Sequence, residues 1–162
     1  SVLIASTTLC KVFRYWVEGP ERGKLEILLD QIPGNCDNIN RASDGNYWLA
    51  LVGIRTPTFD LASRKAGFRL RMVKQIPIDE WLAPGLNHGC VVKFTEKGEV
   101  LESYWDPTGI SHSTLTSMRE HKGYLYLGGL ENNRIGRVKL EQADPDWTGY
   151  EAYWGGKRRD RT

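Results

Sequence analysis

Val91-Val92-Lys93-Phe94, the turn Glu96-Lys97-Gly98 and Glu99-Val100-Leu101-Glu102-Ser103-Tyr104 read as strand, turn and strand. The first of these strands has two counterparts, Val12-Phe13-Arg14-Tyr15 and Ile135-Gly136-Arg137-Val138. Val91 and Ile135 stand 44 residues apart, within the roughly 40 to 50 of a four-stranded propeller blade. Val12 and Val91 stand 79 apart, and removing residues 55–84, 30 residues whose pattern is not β, leaves 49, again one blade. Two further sets repeat in step. Gly45-Asn46-Tyr47-Trp48-Leu49 and Gly123-Tyr124-Leu125-Tyr126-Leu127 each follow a turn, and Lys24-Leu25-Glu26-Ile27-Leu28 matches Glu99 to Tyr104.

Laid out on this repeat, the chain is all-β. Residues 2–29 give the three outer strands of a first blade, 37–105 a complete second blade, and 112–140 the three inner strands of a third. Such a row cannot close into a ring, since closed propellers have about four blades or more. Tyr150-Glu151-Ala152-Tyr153-Trp154 alternates well enough for an eleventh strand covering an open edge. Residues 155–162 read as a basic tail containing Lys157-Arg158-Arg159.

Composition removes several function classes. With 162 residues, 22 Lys and Arg against 20 Asp and Glu, and a net charge of +2, the chain has no strong field of one sign. Nucleic acid is therefore not an expected partner. Its apolar runs are only a few residues long, far short of the roughly 20 of a membrane span. The start Ser1-Val2-Leu3-Ile4 shows no basic segment followed by a long apolar one. Cys10, Cys36 and Cys90 are odd in number with no C-x-x-C spacing, so free thiols are expected rather than a disulfide framework or a zinc site. Both features favour a cytoplasmic location, and a trimmed N-terminus leaves secretion open.

Within residues 55–84, Thr56-Pro57-Thr58 carries the residues of a helix start, and Leu61, Phe68, Met72 and Ile76 recur at helical spacing. Arg64, Lys65, Arg69, Arg71 and Lys74 add five cations with no intervening acid. The simpler expectation is a lid packed on the β domain with a solvated basic side. Contact with an anionic membrane surface is the less favoured alternative.

Gly34-Asn35-Cys36-Asp37-Asn38-Ile39, Asp44-Gly45-Asn46-Tyr47-Trp48-Leu49-Ala50, Arg119 to Gly128 and Val12 to Pro20 together resemble the strictosidine synthase-like family of six-bladed β-propellers. The resemblance runs from Val2 to about Leu140 and implies roughly the C-terminal half of a member. In the wider group, which includes calcium-dependent lactonases and arylesterases, a metal sits in the central channel on Glu, Asn and Asp. The resemblance places Asp37 and Asn38 at one such ligand position. One Asp-Asn pair is a partial set for Ca²⁺, which takes about six to eight oxygens. Equally, the pair can form an Asx-type turn leading into the innermost strand. Cys36 stands where the family commonly has Pro before this Asp. Aligned on Glu120-His121, Thr116 takes the position of the family's catalytic Glu and Thr114 that of a nearby His. A threonine hydroxyl cannot shuttle protons near neutral pH, so strictosidine synthesis itself is not expected.

Among other candidates, His112 directly precedes the innermost strand of the last blade and is the preferred general base of a channel hydrolase. His121 reads as a structural turn residue, and Ser111 and Ser113 lack a nucleophile elbow. Trp16, Trp48, Trp105 and Tyr126 fall on strand positions and read as core. Three functions remain. Two copies could complete a ring as a homodimer, bringing both Asp37-Asn38 pairs to one channel for Ca²⁺-dependent hydrolysis of a small ester or lactone. The same assembly could be a non-catalytic binding or scaffold module. The chain could also be an inactive fragment of a longer hydrolase-like protein.

Overall fold

The computed structural model describes residues 1–77, 88–130 and 132–149. The strand expected at 150–154, the basic tail and the last part of the insertion lie outside the described residues. Ten strands form three antiparallel sheets in chain order. Blade 1 is β1 (Val2–Ser6), β2 (Lys11–Tyr15) and β3 (Leu25–Leu29). Blade 2 is β4 (Gly34–Arg41), β5 (Tyr47–Ile54), β6 (Gly89–Phe94) and β7 (Val100–Asp106). Blade 3 is β8 (Leu115–His121), β9 (Tyr124–Gly129) and β10 (Gly136–Lys139). This is the expected partial propeller, with the first and last blades incomplete.

Blade 2 is apolar on both faces because successive strand side chains point to opposite sides. Tyr47, Leu49 and Leu51 of β5 join Cys90, Val92 and Phe94 of β6 against Cys10, Val12 and Leu29 of blade 1. The intervening Trp48, Ala50 and Val91 pack against Leu115, Met118, Leu125 and Leu127 of blade 3. A sheet buried on both sides needs an almost unbroken apolar run, which Tyr47 to Val52 supplies. The three cysteines are free and buried in the first of these cores. Burial pushes the Cys36 and Cys90 thiols up to about 12, so both are inert toward nucleophilic chemistry.

Several polar contacts cross these interfaces, with Glu120 Oε1 and Arg14 Nε left unpaired among the described residues. Trp48 Nε1–H donates to Glu120 Oε2 at 3.0 Å, both side chains being fully buried. Lys93 lies over the Trp48 ring and meets Asp44 at 2.9 Å and Glu102 at 3.2 Å. Arg14 of blade 1 donates to the Glu96 carbonyl in the β6–β7 turn. Gly98 of that turn has φ +84°, and a Cβ there would stand 2.2 Å from the Leu28 carbonyl oxygen, so only glycine lets the turn close on blade 1. Trp105, expected in the core, is instead exposed, because β7 is an outermost strand and its indole bonds only Ser103 beside it.

The insertion contains two helices, α1 (Pro57–Arg64) and α2 (Ala66–Gln75), rather than one. Thr56 caps α1 by accepting the Phe59 N–H at 3.1 Å, and Pro57 opens it. Lys65 then turns extended, and Arg69 takes the Ala62 and Ser63 carbonyls that a continuous helix would have bonded. After β7, Asp106 holds the loop into blade 3. Its Oδ1 accepts from the Thr108 and Gly109 N–H groups, and its Oδ2 accepts from those of Ser111 and His112, both at 2.8 Å.

Three variants test these contacts. Trp48→Phe removes the indole donor from the buried Glu120 carboxyl and should cost about 2 to 4 kcal/mol in urea unfolding. Trp105→Phe, on the exposed outer strand, should stay within about 0.5 kcal/mol. The backbone N–H of His112, with those of Ser111 and Thr108, holds the Asp106 carboxyl below the usual carboxylate range. A depressed pKa contributes stability above the unfolded-state value, lost as pH falls through the folded one. Asp106→Asn should therefore lower stability by about 1 kcal/mol at pH 7, the gap to the wild type closing below about pH 4.

Candidate functional site

The innermost strands β4 and β8 lie side by side and run in the same direction, since Asn38 Nδ2–H donates to the Thr116 carbonyl at 2.8 Å and Asn40 bonds the Met118 carbonyl two residues on. No described strand pairs with β8 on the side away from β9, so edge carbonyls there lack ladder partners. The two amides fill that need and stitch blade 2 to blade 3 along the channel wall. On the other side Asn35 donates to the Thr7 carbonyl of blade 1 at 3.2 Å. One strand thus ties all three blades together.

Asp37 and Asn38 lie inside β4, where the ladder to β5 shifts register between Cys36 and Ile39, and not in a turn before it. Such irregularities re-aim side chains that a regular ladder would hold. Asp37 is half-buried, and desolvation raises its carboxyl above the usual range while the Asn38 N–H partly offsets this. Asn38 has its –NH₂ committed to Thr116, so its Oδ1 is the end left to accept a donor or ligate a cation. Thr116, at the family's glutamate position, contributes its backbone carbonyl to this junction.

His112 occupies a different place. Its Nε2 lies 2.9 Å from the Gly136 N–H and 3.2 Å from the Leu127 carbonyl, and its Nδ1 lies 2.8 Å from the Ser111 carbonyl. Both ring nitrogens are therefore engaged by the protein. A Cβ on Gly89 would stand 1.9 Å from the His112 carbonyl oxygen, and one on Gly136 would meet the ring, so two glycines leave the room that this histidine fills. The next residues are also constrained. Thr114 has φ +50°, a strained conformation for a β-branched residue, with its N–H on the His88 carbonyl and its own carbonyl accepting from Leu130. His121 faces the Thr148 carbonyl at 3.4 Å.

A cavity of about 280 Å³ lies between blades 2 and 3, walled by Val91, Tyr104, Leu115, Leu127 and Val138, with Asp106 and His112 at its edge. Asp37, Asn38 and Thr116 do not line it. The structure thus brings Asn38 to Thr116 and sets His112 apart with Asp106. Sequence reasoning did not single out Asp106, although Asp106-Pro107-Thr108-Gly109 is a turn signature whose first carboxylate is the natural loop acceptor. Among the described residues no three His, Cys, Asp or Glu side chains converge as a metal site.

No family model matches the chain. Among curated proteins it is 31% identical over 146 residues to adipocyte plasma membrane-associated protein of Salmo salar, covering 88% of this chain. It is 33% identical over 145 residues to the protein of that name from Gallus gallus, covering 86%. It is 31% identical over 134 residues to strictosidine synthase-like 10 of Arabidopsis thaliana, covering 80%. In each case the match takes in 35% of the relative, so the chain spans about a third of the length of these proteins. With three consecutive propeller-like sheets and matches over 80% to 88% of its length, the chain belongs to the strictosidine synthase-like family.

Proposed function

We propose that these blades form one wall of a central-channel site in which Asp37 and Asn38 supply part of the oxygen set for a Ca²⁺ ion, in a propeller that hydrolyses a small ester or lactone. The observation behind this reading is Asp37 itself. It is a half-buried carboxylate on an innermost strand, with no cation paired to it among the described residues and its pKa raised by desolvation. A group in that state gains from a bound cation. The donor set fits Ca²⁺ in kind, being hard carboxylate and amide oxygens, and falls short in number, so the remaining ligands come from blades outside this chain. Bound calcium polarises a carbonyl and acidifies water. The chain's own residues hold the cation side of the channel: Asn38 is oriented by Thr116, and Asn35 and Asn40 fix β4 between its neighbours. His112, which lines the cavity between blades 2 and 3 and whose ring nitrogens face backbone groups, remains this chain's candidate general base, since Thr116 offers only a hydroxyl.

The ring is better completed by further blades of a longer polypeptide than by a second copy. Val2, Ile4, Tyr15, Leu25 and Ile27 form one exposed apolar face of blade 1, aligned by the β1–β2 and β2–β3 registers. The outward positions of blade 3 carry Arg137 and Lys139 with Tyr124 and Tyr126, Arg137 lying over the Tyr124 ring. Closing a two-copy ring would press these charges onto the apolar face and desolvate them. Light scattering after size exclusion should accordingly show no defined dimer. A stable dimer would restore the two-copy ring.

Calcium titration followed by thermal melting tests the site. A raised Asp37 pKa makes its contribution to stability present below the usual carboxylate pKa and lost as pH rises through the folded value. Without metal at pH 7, Asp37→Asn should therefore raise the melting temperature slightly. Millimolar Ca²⁺ should raise that of the wild type and leave Asp37→Asn unmoved. Equal indifference of both to calcium would favour a non-catalytic binding module.

A further inference from the structure

The two ends of the described blades differ in chemistry. The ladder registers put Ser6, Lys11, Leu29, Gly34, Ile54, Gly89, Asp106, Leu115, Gly129 and Gly136 at one end, because each antiparallel neighbour reverses direction and β4 and β8 run together. From this end project the β1–β2 turn, the helical insertion, the loop into blade 3 and the β9–β10 loop. Their exposed side chains include Leu9, Leu61, Leu70, Val73, Ile110, Leu130 and Ile135. Ile110, Leu130 and Ile135 are 81%, 74% and 77% exposed, three large apolar residues at loop positions where polar ones are ordinary. At the opposite end, Val17 is the only large apolar side chain exposed in the described loops.

Helix α2 has two apolar stripes. Phe68 and Met72 are half-buried toward the protein, while Leu70 and Val73, three apart on the opposite face, are 60% and 47% exposed. By helical geometry Arg69 and Lys74 flank that outer stripe. Lys65 and Arg71 add charge, and residues 61–78 contain no acid. The acids on this end are already satisfied among the described residues: Asp30 meets Lys11 at 3.0 Å, Asp60 meets Arg55 at 2.7 Å, and Asp106 is bonded within its own loop.

We infer that this end, with the outer face of α2 at its centre, is a docking surface for an anionic lipid bilayer. Apolar side chains at helix and loop tips, interleaved with unneutralised lysines and arginines, match the boundary between acyl chains and acidic headgroups. An acidic protein would complement the cations but leave Ile110, Leu130, Ile135 and Leu70 without a reason to stand in water. This inference is independent of any metal in the channel.

Co-sedimentation of the full chain with phosphatidylcholine vesicles, with and without about 30% phosphatidylserine, tests it. Binding should require the phosphatidylserine and weaken as salt rises. Lys65→Ala and Lys74→Ala should each reduce partitioning about fivefold. Leu70→Ser with Ile110→Ser should reduce it at least tenfold, with the melting temperature held, since both positions are exposed. Neutralising Lys157, Arg158 and Arg159 instead should leave most of the binding intact. The inference is overturned if phosphatidylserine vesicles bind no protein, if the serine variants bind as wild type, or if the tail variant alone abolishes binding.

Discussion

Everything else in this fold depends on blade 2 being apolar on both faces. The alternation along β5 sends Tyr47, Leu49 and Leu51 to one neighbour and Trp48 and Ala50 to the other, and β6 does the same with Cys90, Val92 and Phe94 against Val91. A sheet with one wet face could terminate a row of blades but could not sit inside one. The position of β4 is a consequence. Once both faces of blade 2 are covered, its first strand is held at the inner edge, and its asparagines are the groups able to reach the loose carbonyls of the neighbouring blade.

The architecture was legible because it is a repeat. Spacing alone placed the three sheets, and the described strands fall within a few residues of the expected ones. Individual environments were less legible, for reasons that differ by residue. Trp105 has the same alternating neighbourhood as Trp48, but β7 is an outermost strand, and a blade's outermost strand has a solvent side that the pattern does not mark. The helical insertion kept its period across Lys65, yet the chain breaks there because Arg69 supplies a substitute donor for the end of α1. His112 looked available because it precedes a strand with no acid beside it in sequence. Its partners are backbone groups of Ser111, Leu127 and Gly136, and backbone partners have no sequence signature.

The site residues divide the same way. Asp37 and Asn38 were singled out from the family pattern, and the structure puts them on the innermost strand. What the pattern could not show is that Asn38 spends its donors on Thr116, leaving one defined function, the carbonyl oxygen, for a ligand. Thr116 explains this from the other side. Its hydroxyl is no proton shuttle near neutral pH, but its backbone carbonyl positions the amide opposite.

The contrast between the two ends of the blades carries the last step. At one end the connections are tied down by polar contacts and close packing: Arg14 to the Glu96 carbonyl, Lys93 between Asp44 and Glu102, and Gly98 pressed on Leu28. These contacts cross from strand to strand and from blade to blade, so they fix the angle between sheets. At the other end the connections include the helical insertion and the loop into blade 3, anchored mainly within themselves by Asp106, Thr56 and the Arg55–Asp60 pair. A scaffold stiffened at one end can vary its loops at the other without losing register. In the described loops and helices the exposed leucines and isoleucines stand at this end, as expected of residues kept for what they touch outside the molecule rather than for what they hold inside it.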